Sequence, residues 1–162
     1  MTLSIDFETR SDVDLKKCGV YRYFESPHAD VLLASFTLDG GPVRRWRRGE
    51  PCPADVRAHI EAGGEVKAHN ASFERIAFTL VMGPKHGWPV PRREQFRCTA
   101  ATAAALSLPR DLARLGDALG LSVTKDKAGG ALIKRFCIPR NPVAMVQARE
   151  AVMTALVAEG LA

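Results

Sequence analysis

The sequence predicts an α/β domain: a mixed sheet of strand hairpins and parallel strands, flanked by helices. Three observations carry that expectation. An apolar run at the start, Leu3-Ser4-Ile5, reads as a strand that ends in Asp6-Phe7-Glu8. Residues 29–48 read as two strands around the turn signal Asp39-Gly40-Gly41. Residues 65–82 read as a short strand running into an apolar helix. The length, 162 residues, suits one domain with a full-sized core. Residues 1–140 are expected to form it, with 141–162 as an atypical C-terminal helix of the same domain.

Taken in order, residues 9–17 are polar and turn-like, and Gly19 to Phe24 forms an aromatic cluster beside Arg22. Such rings either stack on bases or fill the core. Residues 29–38 fit a buried strand, and residues 42–48 return from the turn as an edge strand, with Pro42 at its start. Residues 53–62 look like an amphipathic helix ended by Gly63-Gly64. After the strand at 65–69, Asn70 is the expected N-cap of the next helix, with Glu74 in its first turns. Residues 84–91 read as a loop, 95–102 as a return toward the core, and 100–108 as a small-residue helix. Asp111 opens a helix at 112–119 that Gly120 ends, further helices follow at 129–136 and 143–162, and Pro139 and Pro142 separate those two.

The first strand carries the chemistry. Residues two apart on a strand share a face, so Asp6 and Glu8 project side by side. Two close carboxylates repel unless a cation lies between them, and Mg2+ or Mn2+ prefers oxygen ligands. An edge strand ending in solvated acids is the other reading of the same residues. The net charge of +5 favours a polyanionic partner such as nucleic acid. Arg44, Arg45, Arg47 and Arg48 around Trp46 form the densest basic patch; they either bind phosphate or protect an edge strand. Cys18, Cys52, Cys98 and Cys137 lack metal-site or disulfide spacing and read as reduced thiols of a cytoplasmic protein. No apolar run approaches the roughly 20 residues of a membrane span, and no membrane partner is expected.

Asp6-Phe7-Glu8-Thr9 and Ala68-His69-Asn70-Ala71-Ser72-Phe73-Glu74-Arg75 resemble the first and second motifs of the proofreading-type 3'→5' exonuclease superfamily. These enzymes are DnaQ-like and have a ribonuclease H-like fold. The nearest likeness is to the exonuclease region of bacteriophage-type family A DNA polymerases. Pro109-x-x-Leu112, Leu119-Gly120-Leu121, Lys125-Asp126-Lys127 and Gly130-x-Leu132-Ile133-Lys134 extend it over roughly residues 1–140. The resemblance implies hydrolysis of single-stranded DNA 3' ends with two divalent ions, Mg2+ or Mn2+, roughly 3.5–4 Å apart. It implies Asp6, Glu8 and Glu74 as catalytic metal ligands. It draws Thr9, Asn70, Phe73, Arg44, Arg45 and Arg47 into nucleic-acid contact, and it implies a polymerase module or second chain as a partner.

The third motif of that superfamily, Y-x-x-x-D or H-x-x-x-x-D on a late helix, does not occur. No Tyr follows Tyr23, no His follows His86 and no Asp follows Asp126; Glu150 is the acid on the final helix. Two other classes therefore stand beside the nuclease. One is a non-catalytic nucleic-acid-binding or polymerase-associated module of the same fold. The other is an interaction protein whose acids lie far apart.

Overall fold

The computed structural model describes residues 1–122. The expected helices at 129–136 and 143–162, Glu150, Cys137 and the boundary at residue 140 lie outside the described residues.

Five strands form one sheet in the order β3-β2-β1-β4-β5. They are β1 (Thr2–Arg10), β2 (Asp30–Leu38), β3 (Arg44–Arg47), β4 (Glu65–Ala68) and β5 (Phe96–Cys98). β1, β2 and β3 are antiparallel neighbours, whereas β4 runs parallel to β1 and β5 parallel to β4. Helices flank this mixed sheet, α1 (Leu15–Glu25), α2 (Ala54–Glu61), α3 (Ser72–Ala77), α4 (Gly83–His86), α5 (Thr99–Ala105) and α6 (Leu112–Ala118) among them. The result is the expected α/β fold in a ribonuclease H-like arrangement.

Alternation along the strands builds the core. Leu3, Ile5, Phe7 and Thr9 of β1 are buried, and the residues between them are not. β2 breaks the rule once. The β1–β2 register shifts between Glu8 and Thr9, leaving Leu32 without a Cα partner. That extra residue lets Val31 and Ala34, three apart, both face the core. Phe78 is fully buried under the sheet, 5.2 Å from the Phe7 ring, and it opens a π-helical turn, Phe78–Met82, that continues α3. Trp46 packs edge-on against Trp88 at 5.5 Å.

Several local expectations need correction. β1 continues to Arg10 and α1 begins at Leu15, so the polar stretch at 9–17 is only in part a turn. Asp14 makes that helix start, since its side chain accepts the Lys16 N–H at 2.9 Å. The first half of the expected loop at 84–91 is the short helix α4, with Pro84 in its first turn and Gly87 in the left-handed conformation at its end. Gly64 is fixed by close approach: a Cβ there would lie 2.2 Å from the His59 ring. That packing holds His59 Nε2 2.9 Å from the Glu65 carbonyl at the start of β4.

Candidate active site

The pleat that buries the odd-numbered residues of β1 turns Ser4, Asp6 and Glu8 to the opposite face of the sheet. Asp6 is exposed and Glu8 is half-buried. Asp6 lies across from Ser35 and Glu8 from Leu33, next to the register shift at Leu32. A bulge beside a functional strand re-aims its side chains.

Glu74 lies in α3, beyond a tight reversal after β4. His69 is pinned there, with Nδ1 2.9 Å from Thr99 Oγ1 and Nε2 2.9 Å from the Arg110 carbonyl. Asn70 takes a left-handed conformation, φ 65°, which asparagine tolerates better than most residues. It is therefore not the N-cap. Ala71 occupies that position without a side-chain cap, while the Asn70 carbonyl accepts the Phe73 N–H at 2.9 Å. Asn70 Oδ1 accepts the Ser72 hydroxyl at 3.3 Å.

Glu74 is 3% exposed, and its Oε2 has no hydrogen-bond partner among the described residues. Burial pushes its carboxyl up to about 8; its own backbone N–H opposes the shift, and Asp6 and Cys98 add to it. Burial, and then the charge of Asp6, also raise the Glu8 carboxyl. Asp6 is thus the electrostatic link between the other two acids. Among the described residues, however, no three His, Cys, Asp or Glu side chains are arranged to hold one metal ion as they stand.

The remaining candidates divide between packing and surface. Thr9 is buried, with its hydroxyl 3.0 Å from that of Tyr23. Phe73 is partly buried, 5.0 Å from the Phe24 ring. Tyr23 and Phe24, expected either as stacking platforms or as core, are core, whereas Tyr21 is exposed. Arg44 is engaged: Nη2 lies 2.6 Å from Asp55 Oδ2, and the guanidinium lies 4.8 Å from the centroid of the Phe36 ring. Arg48 pairs with Asp30 at 3.1 Å. Arg45 and Arg47 project from the other side of β3, exposed and with no ion pair among the described residues.

Two residues near the acids were not singled out from the sequence. Lys67 sits on the polar face of β4, between buried Val66 and Ala68. Its signal was the alternation in Glu65-Val66-Lys67-Ala68. Cys98 acts on Glu74, and backbone N–H groups of Ala101, Ala71, Asn70 and Ala100 draw its thiol below the usual range against the opposing effect of burial. No spacing signals that proximity, because it arises where Ala68 pairs with Cys98 across β4 and β5.

The described residues contain no helix long and apolar enough to cross a membrane. No family model matches the chain. It is 41% identical over 148 residues to a DNA polymerase of Bacillus phage SP02. That alignment takes in 87% of this chain and 22% of the polymerase, so the chain spans about a fifth of that relative's length. The likeness fits a polymerase-associated domain.

Proposed function

We propose that this chain is a metal-dependent 3'→5' exonuclease domain of proofreading type, acting on single-stranded DNA 3' ends. One observation carries the reading. The buried Glu74 carboxyl has an oxygen without a hydrogen-bond partner and is coupled through Asp6 to the paired acids of β1. A buried polar atom left unsatisfied calls for an ion or water, and an all-carboxylate donor set suits Mg2+ or Mn2+. The 41% identity to a phage DNA polymerase fits a polymerase-associated domain, which is what such an exonuclease domain would be.

Asp6, Glu8 and Glu74 would hold two divalent ions, which when bound would activate water and stabilise the leaving 3' oxygen. The rest is positioning by the chain itself. β1 is paired with β2 along Asp6 and Glu8, and with β4 over Thr2–Ser4 just before them, which fixes the two acids relative to each other. Asn70 sets the reversal that delivers Glu74, and Phe73 and Thr9 pack below the site. The test is release of a 3' label from a single strand in Mg2+ or Mn2+, with Asp6→Ala alongside. Loss of one shared carboxylate should slow release about a thousandfold, equivalent to ~4 kcal/mol. Equal rates for the two proteins would refute the proposal.

A second reading is a nucleic-acid-binding, polymerase-associated module of the same fold that does not cut. The absence of a Y-x-x-x-D or H-x-x-x-x-D pattern favours it. It predicts binding that weakens steeply with salt and is indifferent to divalent ions. Trimming that requires Mg2+ excludes it.

A further inference from the structure

The arginine cluster of β3 is a single block in the sequence, but the pleat divides it in two. Arg44 and Trp46 face the packed side, where Arg44 meets Asp55 and Phe36. Arg45 and Arg47 face the side that carries the acids. The register makes the relation specific. Ser35 is the Cα partner of both Arg45 and Asp6, and Leu33 is the partner of both Arg47 and Glu8. Two rows therefore run straight across three strands, Arg45-Ser35-Asp6 and Arg47-Leu33-Glu8, each with a cation at one end and a carboxylate at the other.

The dimensions of a sheet say what such rows fit. Strands lie about 4.8 Å apart, so each arginine backbone stands roughly 10 Å from the acid of its row. An extended guanidinium covers part of that distance, which sets it toward a phosphate next to the one held at the carboxylate. Along β3 the two arginines are about 6.8 Å apart, close to the separation of adjacent phosphates on one polynucleotide strand. Both are exposed and have no ion pair among the described residues, whereas Arg44 and Arg48 are committed to Asp55 and Asp30. Ser35 and Thr37 of β2 line a groove that runs past Asp6 to Lys67 and Thr99 and offers neutral hydrogen-bonding groups beside the two rows.

We infer that Arg45 and Arg47 form a phosphate-binding rail for a single-stranded polynucleotide, whose backbone follows β3 past both arginines and then turns across the polar face of the sheet toward the carboxylates of β1. The direction of travel rests on the nuclease reading of Asp6, Glu8 and Glu74; the binding surface itself does not. Edge protection would account for charge on β3, but it predicts no difference between the two pairs of arginines.

The experiment is a salt titration of binding, read by anisotropy of a 5'-labelled oligothymidylate in divalent-free buffer. It uses the full chain, Arg45→Ala/Arg47→Ala and Arg44→Ala/Arg48→Ala, each checked for folding by circular dichroism. Each phosphate neutralised on a single strand contributes about 0.7 to the slope of log affinity against log salt. The first double variant should therefore lose about 1.4 from the slope, and the second should keep the slope of the unmodified chain. An unchanged slope in the first, an equal loss in both, or no binding by the unmodified chain at low salt would overturn the inference. Failure to trim in Mg2+ with the slope loss intact would refute the nuclease reading and leave the rail standing. Trimming abolished by Asp6→Ala with no slope loss would do the reverse.

Discussion

The two faces of the sheet are built from the same strands and have opposite chemistry. On one, Phe7, Phe36, Trp46 and Val66 join a buried cluster with Tyr23, Phe24, Phe78 and Trp88, and the seam is closed by aromatic edges. On the other, Ser4, Asp6, Glu8, Ser35, Arg45, Arg47 and Lys67 present hydroxyls and charge. Stability and the proposed function are thus separable by a single step along a strand. Ile5 and Phe7 hold the fold, and Asp6 and Glu8, alternating with them, hold the chemistry. Glu74 is the exception: it lies within the packed layer and is electrostatically part of the charged one.

The comparison can be sharpened by substitution, and the largest effect belongs to the packed face. Phe78 is fully buried against Phe7, Trp88 and Phe96. Phe78→Ala should cost about 4 kcal/mol in urea unfolding, through lost burial and a residual cavity. Ser35→Ala on the opposite face should stay within about 0.5 kcal/mol. Similar losses at the two positions would break the distinction.

Glu74 gives the next effect, with opposite sign. Its carboxyl is raised from 4.5 to about 8 in the fold, so between those values the native state binds the extra proton. Stability must therefore fall as pH rises through that window and level off above it, with the full contribution present only below the unfolded value. Glu74→Gln removes the titration. In metal-free buffer it should raise stability near neutral pH by about 2–3 kcal/mol and flatten the pH dependence between roughly pH 5 and pH 8. A variant that is less stable at neutral pH, or equally pH-dependent, would mean that Glu74 is satisfied as a carboxylate.

Smaller effects come from ion pairs. Asp30 holds both His86 Nε2, at 2.8 Å, and Arg48, and its side chain is only 15% exposed. Asp30→Ala should cost about 1–2 kcal/mol by chemical denaturation, since it strands a largely buried imidazole. The Arg44–Asp55 pair is about 40–46% exposed on each side. Arg44→Ala should therefore cost less than about 1 kcal/mol, and the loss should shrink further in high salt.

Much of this division was written in the sequence. The hairpin could be read because Asp39 and Gly40 both need positive φ, 50° and 70°, which their residue types tolerate. The face of β1 could be read because its alternation is unbroken. The start of α1 could not: Gly19 interrupts it with non-helical angles, and no apolar stripe marks it. Asn70 misled because one residue type serves both N-caps and left-handed turns, and only the pinned His69 beside it decides between them. The register shift at Leu32 was hidden in a run of apolar residues that fits either face. Of the site, the acids were legible as local motifs. The coupling of Glu74 to Asp6 and Cys98 was not, because it depends on strands paired far apart in the chain.

Titration calorimetry with Mn2+ probes the proposed cation site of Asp6, Glu8 and Glu74 itself. The account predicts saturable uptake of two ions per chain, with proton release near neutral pH as Glu74 ionises, and loss of both signals in Asp6→Ala. Absence of Mn2+ binding by the unmodified chain, or identical isotherms for the two proteins, would contradict it.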